Sequence, residues 1–322
     1  MTGAVEQDVG DLATPTPAGR KISWLWVWLG CALSVGMVSA IVLQLGGGAT
    51  SEVLMTIGRL PPLVWPAVLL LYLVQPLFDF AVFRRLWNMP PAGLEALLRK
   101  NVINEVLLGY SGEAYLYVWA RRATSVAAAP FTAIKDVNIV SALLGNLLTL
   151  VLAAVSATQL RNLDFVQRMG PALWSGLVPL AISLGVLAFG RRVFSLRWAQ
   201  LSYVGMVCGL RLAVWVGLNV LIWRTALPEV PIGLWIVLLA IRCLISRIPL
   251  ISNKDLVFGN LMLLLLGAHS SVAVLLAALA LVTLAMHLAV IVGLGAIDLV
   301  RGPWRTSDSR GRTLPEAGGV HD

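Results

Sequence analysis

Charge is what this sequence has least of. Only 12% of its 322 residues are Asp, Glu, Lys or Arg, about half of the roughly 25% usual in a soluble domain. Residues 22–51 and 256–297 carry none at all. A helix crossing about 30 Å of hydrocarbon needs about 20 such residues, so the deficit excludes a soluble globular chain and predicts an integral membrane protein. The short alternating segments of a membrane barrel are also missing, which leaves helices as the spanning elements.

Cysteine is scarce as well. Cys31, Cys208 and Cys243 all fall in apolar segments. They show no metal or redox spacing, so they read as packing residues and imply no disulfide. The histidines lie in no His–Asp or metal-ligand pattern. His269 falls near a span boundary, and His287, deep in a span, reads as packing. Residues 109–113, GYSGE, miss the nucleophile elbow because the last position is Glu113. Nothing resembles a nucleotide site, and no cofactor is implied. Residues 1–21 lack the basic start of a signal peptide and read as a disordered cytoplasmic tail, as do 301–322.

What charge there is leans basic, 24 Lys and Arg against 16 Asp and Glu. The basic residues sit mostly in short loops between apolar segments. That is a topology signal beside anionic lipid rather than a nucleic-acid face, so no nucleic-acid partner is expected.

Full spans are expected over 22–45, 60–82, 137–160, 171–190, 199–223 and 271–297. The piece between the second and third, and that between the fifth and sixth, each read as two short helices around a polar break. The breaks are placed at Gly109 to Glu113 and at Pro249 to Asp255. The 42 uncharged residues 256–297 would make a helix of about 63 Å at 1.5 Å per residue. The chain must therefore bend, and Gly267 to Ser271 is the natural place.

If both pieces are re-entrant hairpins, 16 basic residues face one side, Arg99, Lys100 and Arg121 among them, and only four face the other: Arg59, Arg161, Arg168 and Arg224. This bias puts both termini in the cytoplasm. Trp65, Trp174, Trp223 and Trp235 then fall near the outer boundary, as an interfacial belt. The order span, span, hairpin, span occurs in 22–160 and again, after a loop at 161–170, in 171–300. Three crossings per half turn the second half upside down. The expected fold is an all-α polytopic bundle of about six full spans and two re-entrant helical hairpins, arranged as an inverted repeat, a transporter signature.

Arg242, Arg247 and Lys254, facing lipid at the bilayer centre, would together cost roughly 8–10 kcal/mol. Two arrangements avoid this. The three line a wet cavity between the halves, or they pair with Glu105, Glu113 and Asp255. Arg211, the one charge in its span, can join them. In the first hairpin Asn101, Asn104 and Glu105 share a helical face. Glu113, Tyr117 and Arg121 recur at i+4, a polar track for a head group or an Arg121–Glu113 clamp. Asn138, Ser141, Gly145 and Thr149 form a small-polar stripe of the helix-packing kind. The candidate substrate-binding set is Arg242, Arg247, Lys254, Asp255, Arg211, Glu105, Ser111, Glu113 and Tyr117. Guanidinium and ammonium groups suit phosphate or carboxylate, so an anionic amphiphile fits best.

Over residues 22–300 the chain resembles the flippase-like transmembrane region of the lysylphosphatidylglycerol synthase family, as a stand-alone member without the soluble synthase domain. The resemblance rests on Gly112 and Glu113 after a break, on Lys135 and Asp136 before the next span, and on Ile248 and Pro249 before the second break. The family usually carries an Arg shortly after its Gly-Glu pair, where Leu116 and Tyr117 stand here. Its Gly-rich turn is replaced by Ser252 to Asp255. The resemblance implies a bacterial inner-membrane protein that moves a lipid or lipid-linked glycan. Two other classes remain open. One is a membrane-embedded lipid-modifying enzyme using Glu113 and Asp255, although no catalytic motif is recognisable. The other is a non-transporting subunit of an envelope assembly. Membrane lipid is the expected partner, and a homo-oligomer or an envelope-biosynthesis partner is also open.

Overall fold

The structure is a computed structural model that describes Ser39 and residues 51–106, 111–123, 129–160, 194–248 and 253–301. Apart from Ser39, the expected spans 22–45 and 171–190 lie outside the described residues, as do the tips of both polar breaks. All regular structure among the described residues is helical. After a helical stretch over 51–59 come α1 (Val64–Trp87), α2 (Gly93–Val106), α3 (Ser111–Ala123), α4 (Ala129–Leu160), α5 (Trp198–Ala226), α6 (Ile232–Ser246), α7 (Lys254–Leu266) and α8 (Ser271–Arg301).

Length divides these helices into two kinds. Four contain apolar stretches of 24 to 29 residues: Val64–Trp87, Phe131–Ser156, Trp198–Ala226 and Ser271–Asp298. At 1.5 Å per residue each reaches beyond the roughly 30 Å of a hydrocarbon core. These are the expected second, third, fifth and sixth spans, and they make this a helical membrane protein. The other four have 13 to 15 residues, about 20–22 Å each, too short to cross alone. They are the two expected pairs of short helices.

Local chemistry sets the ends. α1 stops where Asn88 enters the left-handed region (φ 58°) and its N–H bonds the Arg84 carbonyl at 3.0 Å. Gly267, at φ 86°, ends α7 in a conformation that favours glycine, and α8 begins four residues later. The uncharged run thus bends at the predicted place. Gly259 lets α7 and α8 approach closely: a Cβ there would sit 3.2 Å from Ala277 Cα and 3.3 Å from Ala280 Cβ. Gly259→Val is expected to cost about 1–3 kcal/mol by overpacking, seen as a lower melting midpoint in detergent.

Two apolar cores sit at opposite ends of the bundle. One contains Val64 and Val68 of α1, Leu152 of α4, Ile222 and Trp223 of α5, much of α6 and α7, and the start of α8. The other contains Val82 and Phe83 of α1, the start of α2, the end of α3, Ile134 and Val137 of α4, and Val204 to Cys208 of α5. α1 therefore runs from the first core to the second, whereas α4 and α5 run from the second to the first. Each short pair belongs to one core, α2 and α3 to the second, α6 and α7 to the first. α2 packs on α8, α6 on α4, and α1 on α5.

The tryptophan belt needs correction. Trp223 and Trp235 are 1% and 0% exposed and lie 5.4 Å apart, with Phe258 stacked on Trp223. They are core residues, while Trp65 is exposed as expected. Sequence position fixes the depth of a side chain along a span but not whether it points to lipid or inward. Both breaks also end earlier than expected. Ser111, Gly112 and Glu113 already form the first turn of α3, and Lys254 and Asp255 open α7. Cys208 and Cys243 are buried free thiols.

Candidate functional site: a charged cavity between the two cores

Between the cores lies a cavity of about 410 Å³, within the roughly 300–1,000 Å³ usual for ligand sites. It sits at mid-bundle, since Arg211, on its wall, is the fourteenth of the 29 residues of α5. α1 presents Tyr72, Gln75 and Asp79 to it, one face at helical spacing. α2 adds Lys100, Asn101, Asn104 and Glu105, α4 adds Asn138, Ser141 and Gly145, and the second short pair adds Arg242, Ser246, Arg247, Lys254 and Asp255.

Of the nine candidate residues, Arg211, Arg242, Arg247, Lys254, Asp255, Glu105 and Glu113 line this one cavity. Ser111 and Tyr117 do not. The Ser111 hydroxyl donates to the Ile103 carbonyl at 3.4 Å, and Tyr117 packs edge-on against Phe131 with Arg121 over its ring. The expected line of Glu113, Tyr117 and Arg121 is thus divided. Glu113 turns inward to Lys100 (3.5 Å) and Asn104 (3.2 Å), and no Arg121–Glu113 clamp forms among the described residues. Gly112 makes this turn possible: its N–H donates to Asn104 Oδ1 at 2.7 Å, and a Cβ would run into the Lys100 carbonyl.

Three buried charges on the cavity wall form a cluster that the spacing of the sequence does not reveal. Asp79 is 4% exposed, Lys100 5% and Arg211 6%. Asp79 Oδ2 accepts from Lys100 Nζ at 2.9 Å and from Gln75 Nε2 at 3.0 Å, and Oδ1 accepts from Arg211 at 3.1 Å. The second Arg211 nitrogen donates to the Ser141 hydroxyl at 2.6 Å. Lys100, expected among the cytoplasmic loop charges, is instead a cavity residue. Asp79 is a lone carboxylate inside an apolar span, and that isolation was the available signal, because such a group marks a functional site by default.

The second cluster joins the two short pairs. Arg242 donates to Asp255 at 2.6 Å and to the Asn219 amide oxygen, with its guanidinium 5.1 Å above the Trp215 ring. Arg242 lies on α6 and Asp255 on α7, so the pair ties the two legs together near their tip. Lys254 Nζ donates to the Ser246 carbonyl at 3.1 Å. The Asn253 N–H, just before the N-terminus of α7, donates to the Glu105 carbonyl at 2.7 Å, and the Glu105 side chain lines the same cavity. Short helices from opposite ends of the bundle thus meet at the cavity. Arg247 lies against Gly145, where a Cβ would strike its guanidinium. The small-polar stripe of α4, expected to pack helices, is therefore a cavity wall at Asn138, Ser141 and Gly145. His287 faces the same space and bonds the Tyr72 hydroxyl at 3.1 Å.

The wall carries five basic side chains (Lys100, Arg211, Arg242, Arg247, Lys254) and four carboxylates (Asp79, Glu105, Glu113, Asp255). The cationic cluster expected from the second half is thus nearly matched by acids, three of the four from the first half. Among the described residues no group of His, Cys, Asp and Glu is arranged to hold a metal ion. Asp136, fully buried, accepts from the Ser195 and Leu196 N–H groups at 2.7 Å each and fixes the approach to α5. No family model, no curated protein and no solved structure matches this chain.

Proposed function

We propose that this protein translocates an anionic lipid, or a lipid-linked glycan, between the leaflets of a bacterial inner membrane. The head group would pass through the charged cavity while the tails stay in lipid. The observation that carries this reading is the cavity itself. Five basic side chains at mid-bundle depth, expensive in hydrocarbon, converge on one polar space of ligand size.

The architecture supports an alternating-access reading. Six spans and an inverted repeat fit the exchange of partners between the halves: α2 packs on the last span of the second half, α6 on the last span of the first, and α1 on α5. α4 and α5 run the same way between the cores, as a six-span path requires. The short pairs approach from opposite ends and meet through Asn253 and Glu105. Arg84, Arg85, Arg99, Arg121, Lys135 and Arg197 gather at the end of the second core, and Arg59 and Arg224 at the other. That is the bias expected if the second core faces the cytoplasm. The resemblance to the flippase-like region of the lysylphosphatidylglycerol synthase family points the same way.

The near balance of acids and bases favours a second reading, in which the cavity charges are internal pairs of a non-transporting subunit. Mass spectrometry of co-purifying lipids separates the two. The translocation reading predicts enrichment of one anionic head-group class in the wild type, lost in Arg247→Ala and Lys254→Ala. A bulk-like lipid profile in all three proteins would favour the subunit.

A further inference from the structure

We propose that Lys100 and Arg211 form the phosphate subsite of the cavity, and that Asp79 is its built-in occupant, displaced when a head group binds. This rests on the translocation reading and deepens it by assigning the anion to two named cations outside the second hairpin.

The geometry supports this in three ways. First, one carboxylate bridges two cations from different helices, each through a separate oxygen, at 2.9 and 3.1 Å. Two oxygens of a phosphodiester can accept from the same pair of donors. Second, all three side chains line the cavity rather than a dry core, so a head group entering the cavity reaches them. Third, the neighbours suit a phosphate bearing a polar substituent. The Ser141 hydroxyl already bonds Arg211 at 2.6 Å. Asn101 and Asn138 bring amides to the same cavity, and the buried Glu113 Oε2 accepts no hydrogen bond from the described residues, which leaves an acceptor for a hydroxyl of the head group.

The internal carboxylate has a mechanistic use. With the cavity empty it neutralises two cations that would otherwise stand unpaired at mid-bundle. When a phosphate takes its place, the ion pairs that tie α1 to α2 and α5 are broken. The protein would therefore sense a loaded cavity as a loss of the charged links between those three helices, and breaking its own ion pairs would offset part of the binding energy. Removing the competitor should strengthen binding, as removal of any self-occupied state does.

The test uses the purified full chain in phosphatidylcholine nanodiscs, with phosphatidylglycerol or a polyprenyl-phosphate sugar added in separate arms. Asp79→Asn is expected to bind one of these about tenfold more tightly than the wild type, and that lipid should raise its melting midpoint more than it raises the wild type's. Lys100→Gln, which keeps a balanced Asp79–Arg211 pair, should bind about tenfold more weakly. The arm that responds identifies the source of the phosphate. Should Asp79→Asn not fold, Lys100→Gln decides alone, and wild-type affinity in that variant overturns the subsite. If the wild type binds an anionic lipid through Arg247 while Asp79→Asn and Lys100→Gln match it, the subsite is wrong and the translocation reading stands. If the wild type binds neither lipid, both fall.

Discussion

Asp79→Ala is expected to cost about 3–5 kcal/mol, because truncating one partner of a buried ion pair leaves the others uncompensated. Here two cations, Lys100 and Arg211, lose the same carboxylate, and both are at most 6% exposed. Glu113, at 3.5 Å from Lys100, compensates one of them only in part. The effect should appear as a large fall in the melting midpoint in a zwitterionic detergent. Asp79→Ala combined with Arg211→Gln should recover part of the loss, since the two residues are directly coupled and their effects are not additive. A single variant as stable as the wild type would mean that water already screens the cluster.

Gly145→Leu should abolish enrichment of anionic lipid as fully as Arg247→Ala, with far less effect on stability than Asp79→Ala. The reason is what the new side chain meets. It strikes the guanidinium end of Arg247, a flexible group, rather than the backbone of α6. Arg247 gives way and α4 and α6 stay packed. Gly145→Ala should act in the same direction with a smaller effect. Lipid mass spectrometry beside a melting curve checks both halves of this expectation. Loss of fold together with loss of lipid would show that Gly145 serves helix packing instead.

The parts legible in the sequence are those that depend on one segment at a time. An uncharged run of span length announces a membrane helix whatever surrounds it, and α1, α4, α5 and α8 follow those runs. Polar breaks within apolar sequence announce paired short helices, and the bend at Gly267 follows from length alone. Pairings between segments were less legible. Asp79 and Lys100 are 21 residues apart and Asp79 and Arg211 are 132 apart, with no periodicity to connect them. Lys100 reads as a loop charge because it follows Arg99 between two spans; Arg99 does pair with Asp298 at the end of α8, while helical rotation turns Lys100 inward. Trp223 and Trp235 sit at belt depth but face the core, a choice made by neighbouring helices. Tyr117 and Glu113 share a helical face by spacing, yet a close approach at Gly112 draws only Glu113 into the cavity.

Leaflet exchange of an anionic lipid tests the central claim most directly. The protein would be reconstituted into liposomes containing phosphatidylglycerol or, in a parallel set, a polyprenyl-phosphate sugar, each labelled on its hydrocarbon chain, and outer-leaflet fluorescence quenched chemically over time. The account predicts that wild-type protein accelerates loss of the protected inner-leaflet signal over protein-free liposomes, and that Arg247→Ala and Lys100→Gln return it towards the protein-free rate. Exchange of both lipids no faster with wild-type protein than without protein, or equally fast in all three proteins, would contradict it.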